Sequence, residues 1–343
     1  MDLNEDMEKA RNALPKYFKI LRGNEMPNFH HLRRISVDYE EHMSLDELWK
    51  IHEDGMQLLG EEKFDEIEKK NLLTLKALIA KKLLRKCNLC EFKCHLNRYE
   101  VMGYCRVKNT KVASYFMHYG EEPELVPSFT IFFSGCNFRC VFCQNWDISQ
   151  SSMGVRISPS KMGRIIEKAF DRGAKNVNFV GGEPTPNLPY IIEVLTHVDS
   201  PIPVVWNSNM YMSEEAMNLL DGFVDIYLGD FKWGKDESAR KYSKALNYWS
   251  VVTRNFRMAS KHYRAEFLIR HLVIPGHIEE TERIVAWIAE NLGKDVRLNI
   301  MFQYRPEYKA YGYEEINRPL NYREMQKAKE IVREHGLRNA IVV

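Results

Sequence analysis

The chain has 343 residues, 45% of them hydrophobic and 28% charged, long enough for one large domain with an appendage around a well-buried core. Its 49 Lys and Arg balance 47 Asp and Glu to a formal charge of +2, which leaves no basic stripe of the nucleic-acid-binding kind. The acidic start Met1-Asp2-Leu3-Asn4-Glu5-Asp6 lacks the apolar core of a signal peptide, and no apolar run approaches the roughly 18 residues of a membrane span, so a cytoplasmic protein without a membrane partner is expected.

Residues 1–86 read as an N-terminal helical region. Ser44-Leu45-Asp46-Glu47 is a capping box that opens an amphipathic stretch running to Leu58 and Leu59. Glu61 to Lys86 reads as a longer helix, because Phe64, Ile67, Leu72, Leu75, Leu78, Ile79 and Leu83 recur at three- and four-residue steps. His30-His31, near Pro27, reads as a polar turn rather than a ligand pair, since no third ligand lies nearby.

All seven cysteines fall between positions 87 and 143, which suits metal binding in a reducing compartment better than a disulfide scaffold. The segment 87–127 carries Cys87, Cys90, Cys94 and Cys105, spaced Cys-x2-Cys-x3-Cys-x10-Cys. Four thiolates suit a second, coordinatively closed iron–sulfur cluster or a tetrahedral zinc, and a compact turn of metal-free thiols is the third reading. His95 reads as a neighbour, because four sulfurs already suffice.

From residue 128 to 343 strands alternate with helices. Strands are expected at 129–135, 177–181, 203–207, 225–231, 266–274 and 297–304, and helices near 159–172, 188–198, 213–221, 236–262, 279–292 and 322–335. Pro159 and Ser213 suit helix starts and Gly336 a stop. Six such units predict an α/β protein with a parallel sheet and right-handed crossovers. A doubly wound open sheet also fits that alternation, but polar groups at several strand ends favour a partial (β/α)6 barrel.

The first of these strands ends in Gly135-Cys136-Asn137-Phe138-Arg139-Cys140-Val141-Phe142-Cys143. Cys-x3-Cys-x2-Cys supplies Cys136, Cys140 and Cys143 to a cuboidal cluster that takes four ligands, leaving one iron open for chemistry. Taken alone, the three cysteines also suit a zinc site or an electron-transfer cluster. Gly181-Gly182-Glu183-Pro184 follows the next strand, and the two motifs together resemble the radical S-adenosylmethionine (SAM) superfamily. That resemblance implies a [4Fe–4S] cluster whose open iron binds the amino and carboxylate groups of SAM. It implies reductive cleavage to a 5′-deoxyadenosyl radical, hydrogen abstraction from substrate, and a low-potential donor of the flavodoxin or ferredoxin kind.

Several residues acquire expected roles from the same resemblance. Glu183 would accept from the cofactor's ammonium, Gly181 and Gly182 would let backbone carbonyls approach it, and Phe142 would pack on adenine. Asp230-Phe231-Lys232 resembles the Asp-x-Lys element of glycyl-radical-enzyme activases, and Arg270-His271-Leu272-Val273-Ile274-Pro275-Gly276 their Arg-x-x-Val-x-Pro-Gly element. By that analogy Lys232 balances the methionyl carboxylate beside Asp230, the strand carrying Arg270 and Ile274 lines the adenosine pocket, and Asn207 contacts the methionyl or ribose end. The stretches Cys143–Gln150, Trp206–Tyr211, Gln303–Pro306 and Glu315–Pro319 resemble the PflX-like, pyruvate formate-lyase activating enzyme-related proteins. Gln144, Asn145, Asn209, Tyr211, Arg270, His271, Gln303, Tyr304 and Arg305 are then candidates for recognising a protein, peptide or polar small-molecule substrate, or else form a hydrogen-bonded rim. The contrasting reading is a non-catalytic electron carrier or a metal-stabilised interaction module.

Overall fold

The computed structural model describes residues 3–60 and 66–343. Eight strands form one sheet in strict chain order: β1 (Val112–His118), β2 (Ser128–Phe133), β3 (Asn176–Gly181), β4 (Val204–Ser208), β5 (Ile226–Asp230), β6 (Glu266–Leu272), β7 (Arg297–Met301) and β8 (Ala340–Val342). β1 runs antiparallel to β2, and every later neighbour is parallel. A doubly wound sheet reverses its strand order at a switch point. This order never reverses, so crossovers of one hand put the helices on a single face, and the other face curls inward as a partial barrel.

Alternation along the strands separates two cores. Phe129, Ile131, Val177, Phe179, Trp206, Tyr227, Ile269 and Leu298 point outward and pack under the helices in the larger core. Three rows climb the inner face: Val205, Ile226 and Glu266; then Asn207, Leu228 and Leu268; then Asp230, Arg270, Asn299 and Ile341. The apolar members of the lower rows, Val205, Ile226, Leu228 and Leu268, meet Leu14, Tyr17 and Leu125 in a small separate core.

That small core gives the N-terminal helices a task. The helix Pro15–Leu21 begins against the inner face, where the Lys16 and Tyr17 N–H groups each donate to the Glu266 carboxylate at 2.8 Å. Asn176 Nδ2 donates to Tyr17 Oη at 3.0 Å. Buried Arg297 pairs with Glu124 at 2.7 Å and Asp6 at 3.2 Å, tying the first helix, Leu3–Ala13, to the barrel wall. The amino end of the barrel is therefore plugged, and the open end is the carboxyl end.

Several expectations change. The capping box at Ser44 and Glu47 forms and opens the helix Leu45–Met56. The longer helix starts at Leu72 and ends at Leu83, because Asn71 builds its own capping box with Thr74 and pairs with Ser36 across a bridge; the expected part at 61–65 lies outside the described residues. His30 is buried in the short helix Asn28–Leu32 with Nε2 3.1 Å from the Ser200 carbonyl, so it is a core histidine rather than part of a polar turn. The helix expected over 236–262 is broken: Lys244 (φ 57°) and Asn247 (φ 50°) adopt left-handed backbone, and the regular helix resumes at Tyr248–Ala259. β1 and β8 were not anticipated. β1 is a half-exposed edge strand without clean alternation, and β8 has only three residues.

Candidate active site

The loop after β2 carries the three cysteines, and three backbone segments crowd against it. Gly135 has φ +86°, and a Cβ there would lie 2.6 Å from the Cys105 carbonyl oxygen. A Cβ on Gly182 would lie 2.1 Å from the Gly135 oxygen, and one on Gly181 (φ +117°) 2.1 Å from the Phe133 nitrogen. Only glycine permits this packing. Gly181 and Gly182 thus bring the β3 end directly against the cysteine loop.

Each sulfur of the triad has a hydrogen-bonding neighbour. The Phe138 N–H donates to Cys136 Sγ at 3.3 Å, Cys140 Sγ lies 3.1 Å from Ser243 Oγ, and Cys143 Sγ lies 3.3 Å from Ser149 Oγ. Ser243 arrives there because the break at Lys244 turns the chain back; the same turn lets Trp233 Nε1 donate to Ser243 Oγ at 2.8 Å. Burial, followed by neighbouring anions, pushes the Cys136 thiol well above its ordinary range, and burial pushes Cys140 up to about 11 and raises Cys143. Such thiols stay protonated alone and give up their protons to a cation. Buried thiols with N–H or O–H neighbours on one tight loop therefore fit a cluster site.

Glu183 is buried and heavily engaged. Its Oε1 accepts from Thr185 N–H (3.2 Å), Thr185 Oγ (2.6 Å) and Ser208 Oγ (2.6 Å), while among the described residues Oε2 accepts only from the Asn209 N–H at 3.0 Å. Burial outweighs these bonds and raises its pKa. One carboxylate oxygen staples the β3 and β4 ends together, and the other retains capacity for a donor. Asn209 in turn donates to Asn137 Oδ1 at 2.7 Å and lies against Cys136 Sγ at 3.9 Å.

On the next strand Asp230 and Lys232 pair at 2.7 Å, and the Lys232 N–H donates to Tyr248 Oη at 2.7 Å. Burial works against the ammonium, but Asp230 and Cys140 outweigh it and hold Lys232 above its ordinary range. The same charge lowers Cys140 and Cys143 against their burial. Lys232 therefore faces the triad electrostatically. Asn207 is buried on the inner face one strand away.

The remaining candidates scatter. Phe142 sits among Trp233 (5.7 Å between centroids) and Tyr304 (6.0 Å). Ile274 is buried just past the end of β6, in the same large core that takes in Phe142. Arg270 points inward but is held by carboxylates, with Nε donating to Glu122 at 2.7 Å and Nη2 donating to Glu122 at 2.6 Å and to Glu121. His271 faces the other way, with Nδ1 2.7 Å from the Phe231 carbonyl and Nε2 2.9 Å from Thr281 Oγ, and burial pushes its pKa down to about 4. Tyr211 and Tyr304 hydroxyls donate to the carbonyls of Leu246 (2.6 Å) and Ile316 (2.7 Å). Gln144, Asn145, Gln303 and Arg305 are exposed, with Arg305 paired to Glu307 at 2.9 Å. His271, Tyr211 and Tyr304 are thus engaged within the protein. Ser149, Ser243, Glu121 and Glu122 were not anticipated, and nothing local in the sequence marks them.

Cys87, Cys90, Cys94 and Cys105 line one small void of ≈ 10 Å³, whereas exposed His95 does not. Left-handed residues at Lys93, His95 and Arg106 fold the segment into a knuckle. It abuts the triad: the Cys136 N–H donates to the Cys105 carbonyl at 3.0 Å, and Arg139 stacks over Tyr104 at 4.3 Å. Phe92, Tyr104, Tyr211 and Phe138 form an aromatic wall between the two groups. All seven cysteines are free thiols. Among the described residues no three or more His, Cys, Asp or Glu close round a point at the spacing of a single metal ion.

Against known proteins, the model described as the Radical SAM superfamily matches residues 130–288. The chain is 44% identical over 336 residues to the uncharacterized protein MJ0674 of Methanocaldococcus jannaschii, covering 94% of this chain and 98% of that one. It is 23% identical over 276 residues to the uncharacterized protein MJ0808 of the same organism, covering 74% and 79%. Among solved structures, Streptococcus suis SuiB bound to S-adenosylmethionine matches with a TM-score of 0.45 at 14% identity, over 58% of this chain and 45% of that one, less than half its length. A domain of pyruvate-formate lyase-activating enzyme from Bacteroides vulgatus matches with a TM-score of 0.40 at 16% identity, over 49% and 98%.

Proposed function

The chain belongs to the radical SAM superfamily, whose members use a [4Fe–4S] cluster and SAM, and from that premise we propose that Cys136, Cys140 and Cys143 are the cluster ligands. The observation that carries this is the loop itself: three free thiols at the carboxyl end of β2, each beside a hydrogen-bonding group, with Lys232 acting on two of them. A cluster held by Cys136, Cys140 and Cys143 would supply the one electron for reductive cleavage of SAM, giving methionine and, after hydrogen abstraction from substrate, 5′-deoxyadenosine. The electron comes from a low-potential donor of the flavodoxin or ferredoxin class.

The surrounding residues bind and orient. The free capacity of Glu183 Oε2 and the Gly181–Gly182 backbone receive the cofactor's ammonium. Lys232, steadied by Asp230 and Tyr248, balances its carboxylate, and Asn207 contacts the methionyl or ribose end. Phe142 and the segment ending at Ile274 form the apolar side of the adenosine pocket. The plugged amino end excludes water from below, so substrate enters from the carboxyl end. The hydrogen donor is a protein, a peptide or a polar small molecule, and activation of a glycyl-radical enzyme falls within that class. Cys87, Cys90, Cys94 and Cys105 hold a second metal centre, iron–sulfur or zinc.

The test is anaerobic reconstitution with iron and sulfide, followed by dithionite and SAM. Formation of 5′-deoxyadenosine, lost in Cys143→Ala, supports the enzyme. A loaded sample that yields none leaves the electron-carrier reading. Iron counting assigns the second group: about eight irons per chain means two clusters, and about four with one zinc means a zinc knuckle.

A further inference from the structure

A cavity of ≈ 310 Å³ opens where the loop after β1 meets β6, β7 and β8. That size is at the small end of ligand pockets. Its wall includes Arg270 and Asn299, which stand beside Asp230 in the top inner row, so the cavity shares the barrel interior with the Asp230–Lys232 pair.

Its polar side is short of donors. Glu121 and Glu122 both face Arg270, the cation of this cluster, and Asn299 Nδ2 donates to Glu122 at 2.8 Å. Asn299 is 6% exposed, yet its Oδ1 has no partner among the described residues. Turning the amide over would set its oxygen against the Glu122 carboxylate, so the orientation is dictated. Asn178, outside the cavity wall, repeats the pattern: Nδ2 donates to Glu121 at 3.0 Å, and Oδ1 is buried without a partner among the described residues. A buried carbonyl oxygen without a donor is costly, and the residue that carries the Asn299 one lines an open space.

The charge balance points the same way. The cavity wall carries three acidic side chains, Asp6, Glu121 and Glu122, against one guanidinium, Arg270, with Asp6 also paired to Arg297 behind the wall. His118 lies beside Glu121, with Nδ1 at 3.3 Å. Burial works against the Glu122 charge, but Arg270 and Asn299 hold its pKa below the ordinary value, so it remains an anion. The opposite wall is apolar, with Met301 and Ile341. A ligand that suits both walls brings N–H donors, a positive charge and an aliphatic stem.

We propose that this cavity binds a primary ammonium carried on an aliphatic chain, with the ammonium between Glu121 and Asn299 Oδ1 and the chain against Met301 and Ile341. That this ligand is also the hydrogen donor rests on the radical-enzyme reading; its binding does not. The same ammonium occurs on a free alkyl diamine and on a peptide lysine side chain.

Titration calorimetry on the full chain distinguishes these sources, with 1,5-diaminopentane, Nα-acetyl-lysine amide, 1-pentanol and pentanoate as probes at neutral pH. At least one amine binds about tenfold or more tightly than 1-pentanol or pentanoate. The tighter of the two amines names the source. Glu121→Gln, which keeps the shape and removes the charge, weakens amine binding about tenfold or more. Gln303→Lys, at an exposed rim position that tolerates change, sets a competing ammonium at the mouth and weakens it too. Amines that bind no better than 1-pentanol, or that bind both variants as tightly as the parent, overturn the proposal. A sample that binds amine but forms no 5′-deoxyadenosine locates the failure in the radical reading instead.

Discussion

Gly182 shows how much of the site depends on a missing side chain. Its neighbours are backbone, the Gly135 oxygen at 2.1 Å and the Ser149 Cα at 2.9 Å from an added Cβ, so nothing flexible can yield. Gly182→Ala must push the β3 end away from the loop that begins at Cys136. Overpacking of this kind costs about 1–3 kcal/mol. The variant is expected to melt earlier and to retain less iron after reconstitution. Unchanged melting and full iron loading would show that the loops tolerate separation.

At this scale the triad was legible in the sequence because three ligands fall within eight consecutive positions and a glycine pair follows the next strand. Their hydrogen-bonding partners were not. Ser243 meets Cys140 across 103 positions of chain, and Glu121 and Glu122 meet Arg270 across about 150. No local pattern announces such meetings. Arg270 and His271 are adjacent in a strand, so alternation sends them to opposite faces, and grouping them in one polar rim overlooked that.

Among the elements, the helix Pro15–Leu21 has two N–H groups of its first turn bound by one carboxylate. Glu266→Ala removes the acceptor of two backbone N–H groups, Lys16 and Tyr17, beneath the barrel. A buried N–H without a partner costs about 1–3 kcal/mol. Hydrogen exchange should therefore quicken at residues 15–21 while β5 and β6 remain protected. Equal exchange in variant and parent would mean that Leu14 and Tyr17 hold the plug by packing alone.

A second element contact carries a buried amine. Lys76, in the helix Leu72–Leu83, lies 2.6 Å from His52 Nε2 and 3.1 Å from the Asn218 carbonyl, and burial pushes its pKa down to about 7. Between that value and its ordinary 10.5 the unfolded chain holds a proton that the folded chain lacks, so this group makes stability rise with pH across the window. Each pKa unit corresponds to about 1.4 kcal/mol. Lys76→Met should stabilise the protein most at pH 7 relative to the parent, with the advantage shrinking toward pH 10. Urea unfolding at three pH values reads this directly, and parallel stability curves would contradict it.

Strand and helix periodicity made the six inner βα units readable, because each strand is an apolar run closed by a turn. β1 escaped because only part of one face is covered. The break after Ser243 escaped because Lys244 and Asn247 take left-handed backbone without glycine or proline to signal it. The capping box that starts a helix at Asn71 uses Thr74, not the Glu or Gln of the familiar pattern, so the helix looked longer than it is.

For the whole molecule, strand order decides between architectures that the alternation of elements left open. Sequential parallel strands put Asn207, Asp230, Arg270 and Asn299 on one concave face, with a plug at one end and the cysteine loop at the other. No helix among the described residues is long and apolar enough to cross a membrane. The Cys87 group packs against the back of the triad loop through the Cys105 carbonyl, so its fold buttresses the site.

The central claim is that the triad leaves one iron free of protein and that SAM takes that position. Electron paramagnetic resonance of the dithionite-reduced Cys87→Ala/Cys105→Ala variant, whose second group keeps only two thiols, isolates the triad cluster. One reduced cluster signal whose shape changes when SAM is added is the expected result. An identical spectrum with and without SAM, from a cluster shown to be fully loaded, would contradict it.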